Sequence, residues 1–463
     1  MNLEDLQLKK KNIWQEVSKE EHDKIFSYCE DYKNFLDYGK TERLATKFLL
    51  AEAKKNGFVP LDEAVKNGLK AGDKIYLNNK DKSLVLMVLG KEDLEKGMNI
   101  VGAHIDSPRL DLKANPLYED SNLALLKTHY YGGIKKYQWT TIPLALHGVI
   151  VNSEDEMIEI SIGDKEDDPV FYITDLLAHL SADLNKKTMA EGITGESLNL
   201  LAGHSSFAIE DKENPIKKAI LKKLYDDYKI VEEDFQIAEL EAVPAGKARD
   251  VGFDRSMIAA HGHDDRVCSY AAFKAIMEIE NPEKTAAVLL VDKEEIGSVG
   301  NTGMQAKFFE NMVAEVSAGL GHHSNLLVRR ALANSKCLSA DVSPAMDPDY
   351  KDTMDPLNSA YLGHGICMSK YVGARGKGGS NDANAEFLRE VRKTFRENKV
   401  IYQTGELGKI DQGGGGTIAA YVAKYGAEVL DIGTAMLSMH APIELVSKAD
   451  AYMTYKAYKA FIK

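Results

Sequence analysis

The chain has few cysteines. Cys29, Cys268, Cys337 and Cys367 are the only ones in 463 residues, and none stands in a CxxC pair. That spacing argues against a thiolate-held structural zinc and gives no disulfide framework, so a reducing cytoplasm is the expected setting. Long apolar runs are missing as well. No stretch reaches the roughly 18 residues of a membrane span, and the opening Met1-Asn2-Leu3-Glu4-Asp5 is acidic with no apolar region behind it, so no secretory leader is expected. Cations are in deficit: 58 Lys and Arg against 71 Asp and Glu leave a formal charge of -13, which argues against nucleic acid or an anionic membrane as partner. No HExxH, GxSxG, GxxxxGK[ST] or GxGxxG occurs. Their absence removes the single-helix zinc protease, the serine-nucleophile elbow and the common phosphate cradles.

At this length one hydrophobic core is not expected, and two or more domains are. Glu20 to Tyr38 and Thr41 to Lys55 carry apolar residues at helical spacing, and Ser83 to Leu89 and Asn99 to His104 read as strands. From about 112 to 245 the texture turns aromatic and β-branched, with Gly132-Gly133 as a turn and Glu156 to Ile162 alternating apolar with polar. Asp211 to Phe235 reads as a charged helix. Beyond 246 strand and helix alternate again. Thr285 to Asp292, with the apolar run Ala286 to Val291 inside it, reads as a strand buried on both faces. Cys268, Ala271, Ala272, Ala275 and Ile276 form one helical face, and Pro442 suits the first turn of a closing helix whose buried face would be Val446, Ala449, Met453, Ala457 and Ala460. The expected division is residues 1–111 and 246–463 as one domain, with 112–245 inserted into it.

Potential metal ligands gather at the ends of these elements. His104 and Asp106 follow one strand, Glu294 and Glu295 follow another, Asp341 sits in Ser339-Ala340-Asp341, Asp264 and Asp265 precede a helix, and His440 follows Leu437-Ser438-Met439. Open parallel sheets bind ligands at the carboxyl ends of their strands. Imidazoles and carboxylates collected there suit two divalent ions, and a further carboxylate kept off the ions would serve as a base. In that arrangement His104 and His440 are terminal ligands, Asp264 bridges, Glu295 and Asp341 complete the shells, and Glu294 is the base. Asp106 is placed to accept a hydrogen bond from the second ring nitrogen of His104. Neighbours on an extended segment point to opposite sides, so Glu294 and Glu295 need a turn, for which Gly297 is available. Taken singly, each group also reads blandly: a solvated acidic pair, a helix cap, a satisfied histidine. Gly413-Gly414-Gly415-Gly416 reads as a substrate-side loop.

Gly102-Ala103-His104-Ile105-Asp106-Ser107-Pro108-Arg109 resembles the first metal motif of the M18 aminopeptidases, the aspartyl aminopeptidase family. Gly262 to Arg266, Asp292 to Ser298, Ser339 to Asp341 and Ser438 to Pro442 resemble its remaining motifs, in order. The resemblance implies an α/β protein: a mixed-sheet, phosphorylase/hydrolase-like catalytic domain with an inserted β-rich dimerisation domain. It implies a zinc exopeptidase that removes N-terminal amino acids from peptides, with two Zn2+ per subunit, Co2+ or Mn2+ being chemically suited too. It also implies dimers assembling into a tetrahedral homododecamer, and the roles given above for His104, Asp264, Glu295, Asp341, His440, Glu294 and Asp106. A histidine that reaches a neighbouring subunit's site is best matched by His179, which equally fits an amphipathic helix. The cation that would clasp an acidic substrate side chain corresponds to Arg375 or Lys377, in a stretch richer in glycine than the aspartyl pattern. Acidic specificity is the expectation, with a neutral, leucine-like preference as the alternative. Outside the family, a deacylase or carboxypeptidase would share the metal shell, and a non-catalytic self-assembling shell would retain it as a relic.

Overall fold

The computed structural model describes residues 6–463, which divide into two compact units. One contains the chain through Asp106, Ala248–Met439 and Glu444–Lys463. The other contains Ser107–Lys247 and His440–Ile443.

The first unit is built on a nine-stranded mixed sheet. Its strand order is Val59–Pro60, Lys74–Asn79, Ser83–Val88, Ala286–Val291, Asn99–His104, Lys336–Ser339, Glu428–Gly433, Ile366–Ser369 and Tyr402–Thr404. The four strands from Ala286–Val291 to Glu428–Gly433 are mutually parallel. Their burial follows the two-residue period of a strand. Leu86, Val101, Val288 and Leu338 enter one apolar cluster; Met87, Ile100, Leu289 and Cys337 enter another on the opposite face. Both faces are covered, which is why these strands read as unbroken apolar runs.

Helices close the first face. Lys19–Tyr38 is capped by Ser18, whose Oγ accepts from the Glu21 amide at 3.2 Å, and it buries Ile25, Tyr28, Cys29, Tyr32, Phe35 and Leu36 at helical spacing. His263–Met277 and Lys448–Ile462 pack in the same cluster. A smaller sheet, ordered Arg249–Val251, Met257–Ala260, Glu444–Ser447, Ala435–Leu437 and Ser343–Pro344, also belongs to this unit. It corrects two readings. The closing helix starts at Lys448 rather than at Pro442, and Val446 is a strand residue opposite Ile258. Antiparallel pairing with Met257–Ala260 claims Glu444–Ser447 before the helix begins.

The second unit holds a seven-stranded sheet ordered Glu239–Pro244, Arg109–Asp120, Leu123–Tyr131, Leu200–Gly203, Phe171–Tyr172, Pro143–Val151 and Met157–Ile162. Leu110, Leu126, Trp139, Leu146, Ile160 and Leu200 lie in its core. The charged stretch expected as one helix from Asp211 to Phe235 is shorter. A helix covers Pro215–Tyr228, Lys229 ends it at φ 60°, and a 3-10 turn follows over Glu232–Ile237. Among the described residues no helix is long and apolar enough to cross a membrane.

One buried charge hub ties distant parts of the first unit. Asp250 meets Lys448 Nζ at 2.8 Å, Lys33 Nζ at 2.9 Å and Arg255 Nε at 2.7 Å, and the Lys448 ammonium is fully buried 4.2 Å from the Phe26 ring centroid. Burial works against the Asp250 charge, yet hydrogen bonds from Lys448, Lys33 and Arg255 hold its carboxyl well below the usual range. Asp250→Ala strands a buried ammonium and should cost about 3–5 kcal/mol in urea unfolding. Because the folded-state pKa is depressed, this contribution is present above the unfolded value of about 3.9 and is lost as pH falls through the folded one. The gap between wild type and variant should therefore hold steady above about pH 5 and narrow below about pH 4.

Candidate metal centre

Three adjacent parallel strands deliver the candidate ligands in register. Val291 pairs with His104, and Gly102 pairs with Ser339. Glu294 and Glu295, His104 and Asp106, and Asp341 therefore follow from the carboxyl ends of strands that neighbour one another. Asp264 enters from the smaller sheet, at the start of His263–Met277, and the Asp264–Asp265 peptide is cis.

His104 stands at the middle of the group, 2% exposed. Its Nε2 lies 3.2 Å from Asp264 Oδ1 and 3.9 Å from Asp341 Oδ1. One potential donor atom each from His104, Asp264 and Glu295 falls within a mutual 4.8 Å, and so does one each from His104, Glu294 and Asp341. The other ring nitrogen, Nδ1, meets the Asp106 main-chain carbonyl at 3.0 Å, with the Asp106 carboxylate at 3.4 Å. The expected support for His104 thus comes chiefly from the backbone of Asp106, because its carboxylate is otherwise engaged. Asp106 Oδ1 accepts from the Glu294 amide at 3.1 Å and Oδ2 from the Glu295 amide at 3.2 Å.

That double acceptance solves the geometric problem posed by two adjacent acids. Lys293 at φ 67° and Gly297 at φ 93° bracket a 3-10 turn over Glu294–Ile296. Both carboxylates come off the strand into the His104 cluster instead of pointing to opposite faces. Gly297 has open space around a hypothetical Cβ, so its requirement is conformational: the left-handed region favours glycine.

The electrostatics fit a cation. Burial presses the His104 imidazole toward neutrality, but hydrogen bonds to Asp106 and Asp264 and the charge of Asp341 outweigh it and raise its pKa. Burial raises Asp341; His104 opposes this, and Asp264, Asp265 and Glu294 add to it. Carboxylates that push one another toward protonation around an imidazole are donors for which a divalent ion competes with protons. Nitrogen and oxygen donors of this mix suit zinc.

The remaining expected site residues are placed as follows. His440, at φ 63°, falls in the His440–Ile443 segment that groups with the second unit, and its Nδ1 lies 2.7 Å from the Gly133 carbonyl oxygen. His179 is exposed on the 3-10 turn Ala178–Leu180 of that unit. Arg375 is exposed in a loop at φ 47°. Lys377 Nζ pairs with Asp382 at 2.9 Å and sits 3.7 Å from the Tyr371 ring centroid. In Gly413–Gly416 the Gly415 carbonyl accepts from the Gly373 amide at 2.7 Å, and a Cβ on Gly414 would lie 2.3 Å from the Gly373 oxygen. Sequence reasoning missed Glu444, whose Oε2 accepts from the Asp264 amide at 3.1 Å. An isolated glutamate in a strand carries no motif that would have flagged it.

An α/β sheet with histidine and carboxylates converging at adjacent strand ends fits the class of metal-dependent hydrolases. The sequence model of the family "Aminopeptidase I zinc metalloprotease (M18)" matches residues 35–462. A protein of Clostridium acetobutylicum named "Probable M18 family aminopeptidase 1" is 50% identical over 99% of this chain and 99% of its own. The crystal structure of an M18 family aminopeptidase from Thermotoga maritima superposes with a TM-score of 0.95 at 44% identity, covering 99% of this chain and 100% of that one. The yeast mApe1 dodecamer shares the fold, with a TM-score of 0.75 at 21% identity over 93% of this chain and 95% of that one. The chain belongs to the M18 family and is a metalloaminopeptidase.

If Asp106 holds the Glu294–Glu295 turn, Asp106→Ala should lower zinc affinity or activity about 10–100-fold, the usual loss for a residue that orients ligands. A chelator-competition titration with matched circular dichroism checks this, and unchanged affinity together with unchanged activity would remove the role.

Proposed function

We propose that the chain is a two-zinc exopeptidase that removes single N-terminal residues from peptides, with Glu294 as general base. The observation that carries this reading is the turn held by Asp106, which brings Glu294 and Glu295 to the His104 cluster together. His104, Asp264, Glu295, Asp341 and His440 would hold the ions, with Asp264 between them, and Co2+ or Mn2+ would also suit the donors. Bound zinc supplies Lewis acidity toward the scissile carbonyl and lowers the pKa of water. Glu294 takes a proton from the attacking water and returns it to the leaving nitrogen, which calls for a carboxylate near the ligands but not committed to them. The β-rich second unit would serve dimerisation, with assembly to a dodecamer and His179 directed to a neighbouring copy. The yeast dodecamer of the same fold supports assembly to a homo-oligomer.

Substrate preference turns on the glycine-rich loop. Acidic specificity needs an available cation, and Lys377 is held by Asp382, which Lys370 also contacts at 2.7 Å. Arg375 alone is left for a clasp. This pairing favours the neutral, leucine-like alternative over the acidic one, and a deacylase would share the shell but not the need for a free amine.

Glu294→Gln should keep its zinc and lose about 10²–10⁴ in kcat, the range for general acid–base catalysis. Zinc retention with wild-type turnover would reassign the base. A panel of leucyl, aspartyl and glutamyl nitroanilides, with and without N-acetylation, should show release from the free-amine leucyl compound first. Cleavage of the acetylated compounds would point to a deacylase or carboxypeptidase instead.

A further inference from the structure

A cavity of about 530 Å³ lies at one edge of the nine-stranded sheet, between residues 8–11, the edge strand Tyr402–Thr404 and the helix Ala385–Glu397. No candidate metal ligand lines it, and no acidic side chain does. Its cations are Lys9, Lys10, Lys11, Arg389 and Arg392, gathered in a chain whose formal charge is -13.

The convergence is built outward from a buried acid. Asp450, fully buried in the closing helix, accepts from the Gly363 amide at 2.6 Å and from the Gly365 amide at 2.7 Å. The loop so held carries His364, and the Gly363 carbonyl accepts from the Ile13 amide at 2.7 Å. Asn12 caps the short helix Ile13–Glu16, its Oδ1 accepting from the Trp14 amide at 3.0 Å. Residues 8–11 are thereby placed beside the edge strand, with Lys10 Nζ 4.8 Å from the Tyr361 ring centroid. On the other wall Arg389 and Arg392 stand at i, i+3 spacing and share one helix face. Neither guanidinium enters an ion pair among the described residues, while Lys11 Nζ lies 3.8 Å from Glu16.

Three consecutive lysines alone would be an ordinary solvated run. Set against two arginines from far along the chain, they surround one hollow with like charges, whose repulsion a bound anion relieves. The volume falls within the range of small-molecule sites, about 300–1,000 Å³. Paired guanidiniums favour phosphate, which carries more charge and more acceptor oxygens than a carboxylate. Met368, Leu388 and Tyr402 add apolar surface to the lining, so the ligand has an apolar part as well. His364 belongs to the same lining, and its Nδ1 is buried without a hydrogen-bond partner, an open position for a ligand atom. We infer that this cavity binds a small phosphate ester with an apolar or aromatic body, apart from the metal centre.

Isothermal titration of the full-length chain with ADP, glycerol phosphate and inorganic pyrophosphate, before and after zinc is removed by a chelator, tests this. ADP should bind most tightly of the three, in both metal states, and more weakly as salt rises. Arg389→Gln/Arg392→Gln should lose about 10-fold or more in ADP affinity per guanidinium, the size of a charge-assisted hydrogen bond, with unchanged circular dichroism. Lys10→Gln/Lys11→Gln, on the opposite wall, should weaken ADP too and decides the matter if the arginine variant misfolds. Binding of none of the three probes, or wild-type ADP affinity in the folded variants, would overturn the proposal. So would ADP binding that disappears with the zinc, which would put the anion at the metal centre. Pyrophosphate bound as tightly as ADP would overturn the assigned ligand class.

Discussion

The carboxylate of Asp106 lies on one side of a junction between two parallel strands, and the amides of Glu294 and Glu295 lie on the other. Much of the centre depends on that exchange. Without an acceptor for both amides, a segment leaving Ala286–Val291 would continue extended, and its two acids would diverge. With it, the segment bends at Lys293 and Gly297 and supplies two acidic side chains to one imidazole. The same residue lends its backbone carbonyl to His104 Nδ1. A single residue, by its side chain on one strand and its main chain on the other, thus orients candidate ligands on both, and it is fully buried, where water does not compete for these contacts.

The centre is also an electrostatic compromise. His104, Asp264, Asp341 and Glu294 crowd together with Asp265 behind them, and burial raises the proton affinity of Asp341 and Asp265. Such crowding opposes folding in the absence of a cation, because buried charge of one sign is costly. The sheet tolerates it because the strands themselves are secured elsewhere, by apolar clusters on both faces and by the Asp250 hub.

Much of this was legible in the sequence, for identifiable reasons. A short, continuous apolar run such as Ala286 to Val291 suits a doubly buried strand better than a helix, so the strand ends, and the candidate ligands that follow them, could be located. The face formed by Cys268, Ala271, Ala272, Ala275 and Ile276 is fully buried as its spacing indicates. What escaped were contacts between residues far apart in the chain. Glu444 is 180 positions from the amide it holds, and the Lys377–Asp382 pair forms through loop closure that composition does not specify. Pro442 misled because proline suits a helix start and an ordinary turn equally well; pairing between Glu444–Ser447 and Met257–Ala260 decided the matter.

The second unit is not a simple cassette between residues 107 and 247. Four residues from late in the chain, His440–Ile443, group with it, and His440 is oriented by the Gly133 carbonyl. Shortening or exchanging the insertion would remove the acceptor that sets the ring of a histidine more than three hundred positions downstream. Any module accepted at this point in descent, or grafted by design, has to bring a carbonyl to the same spot, so the freedom to diversify the insert stops at the loop that carries Gly133.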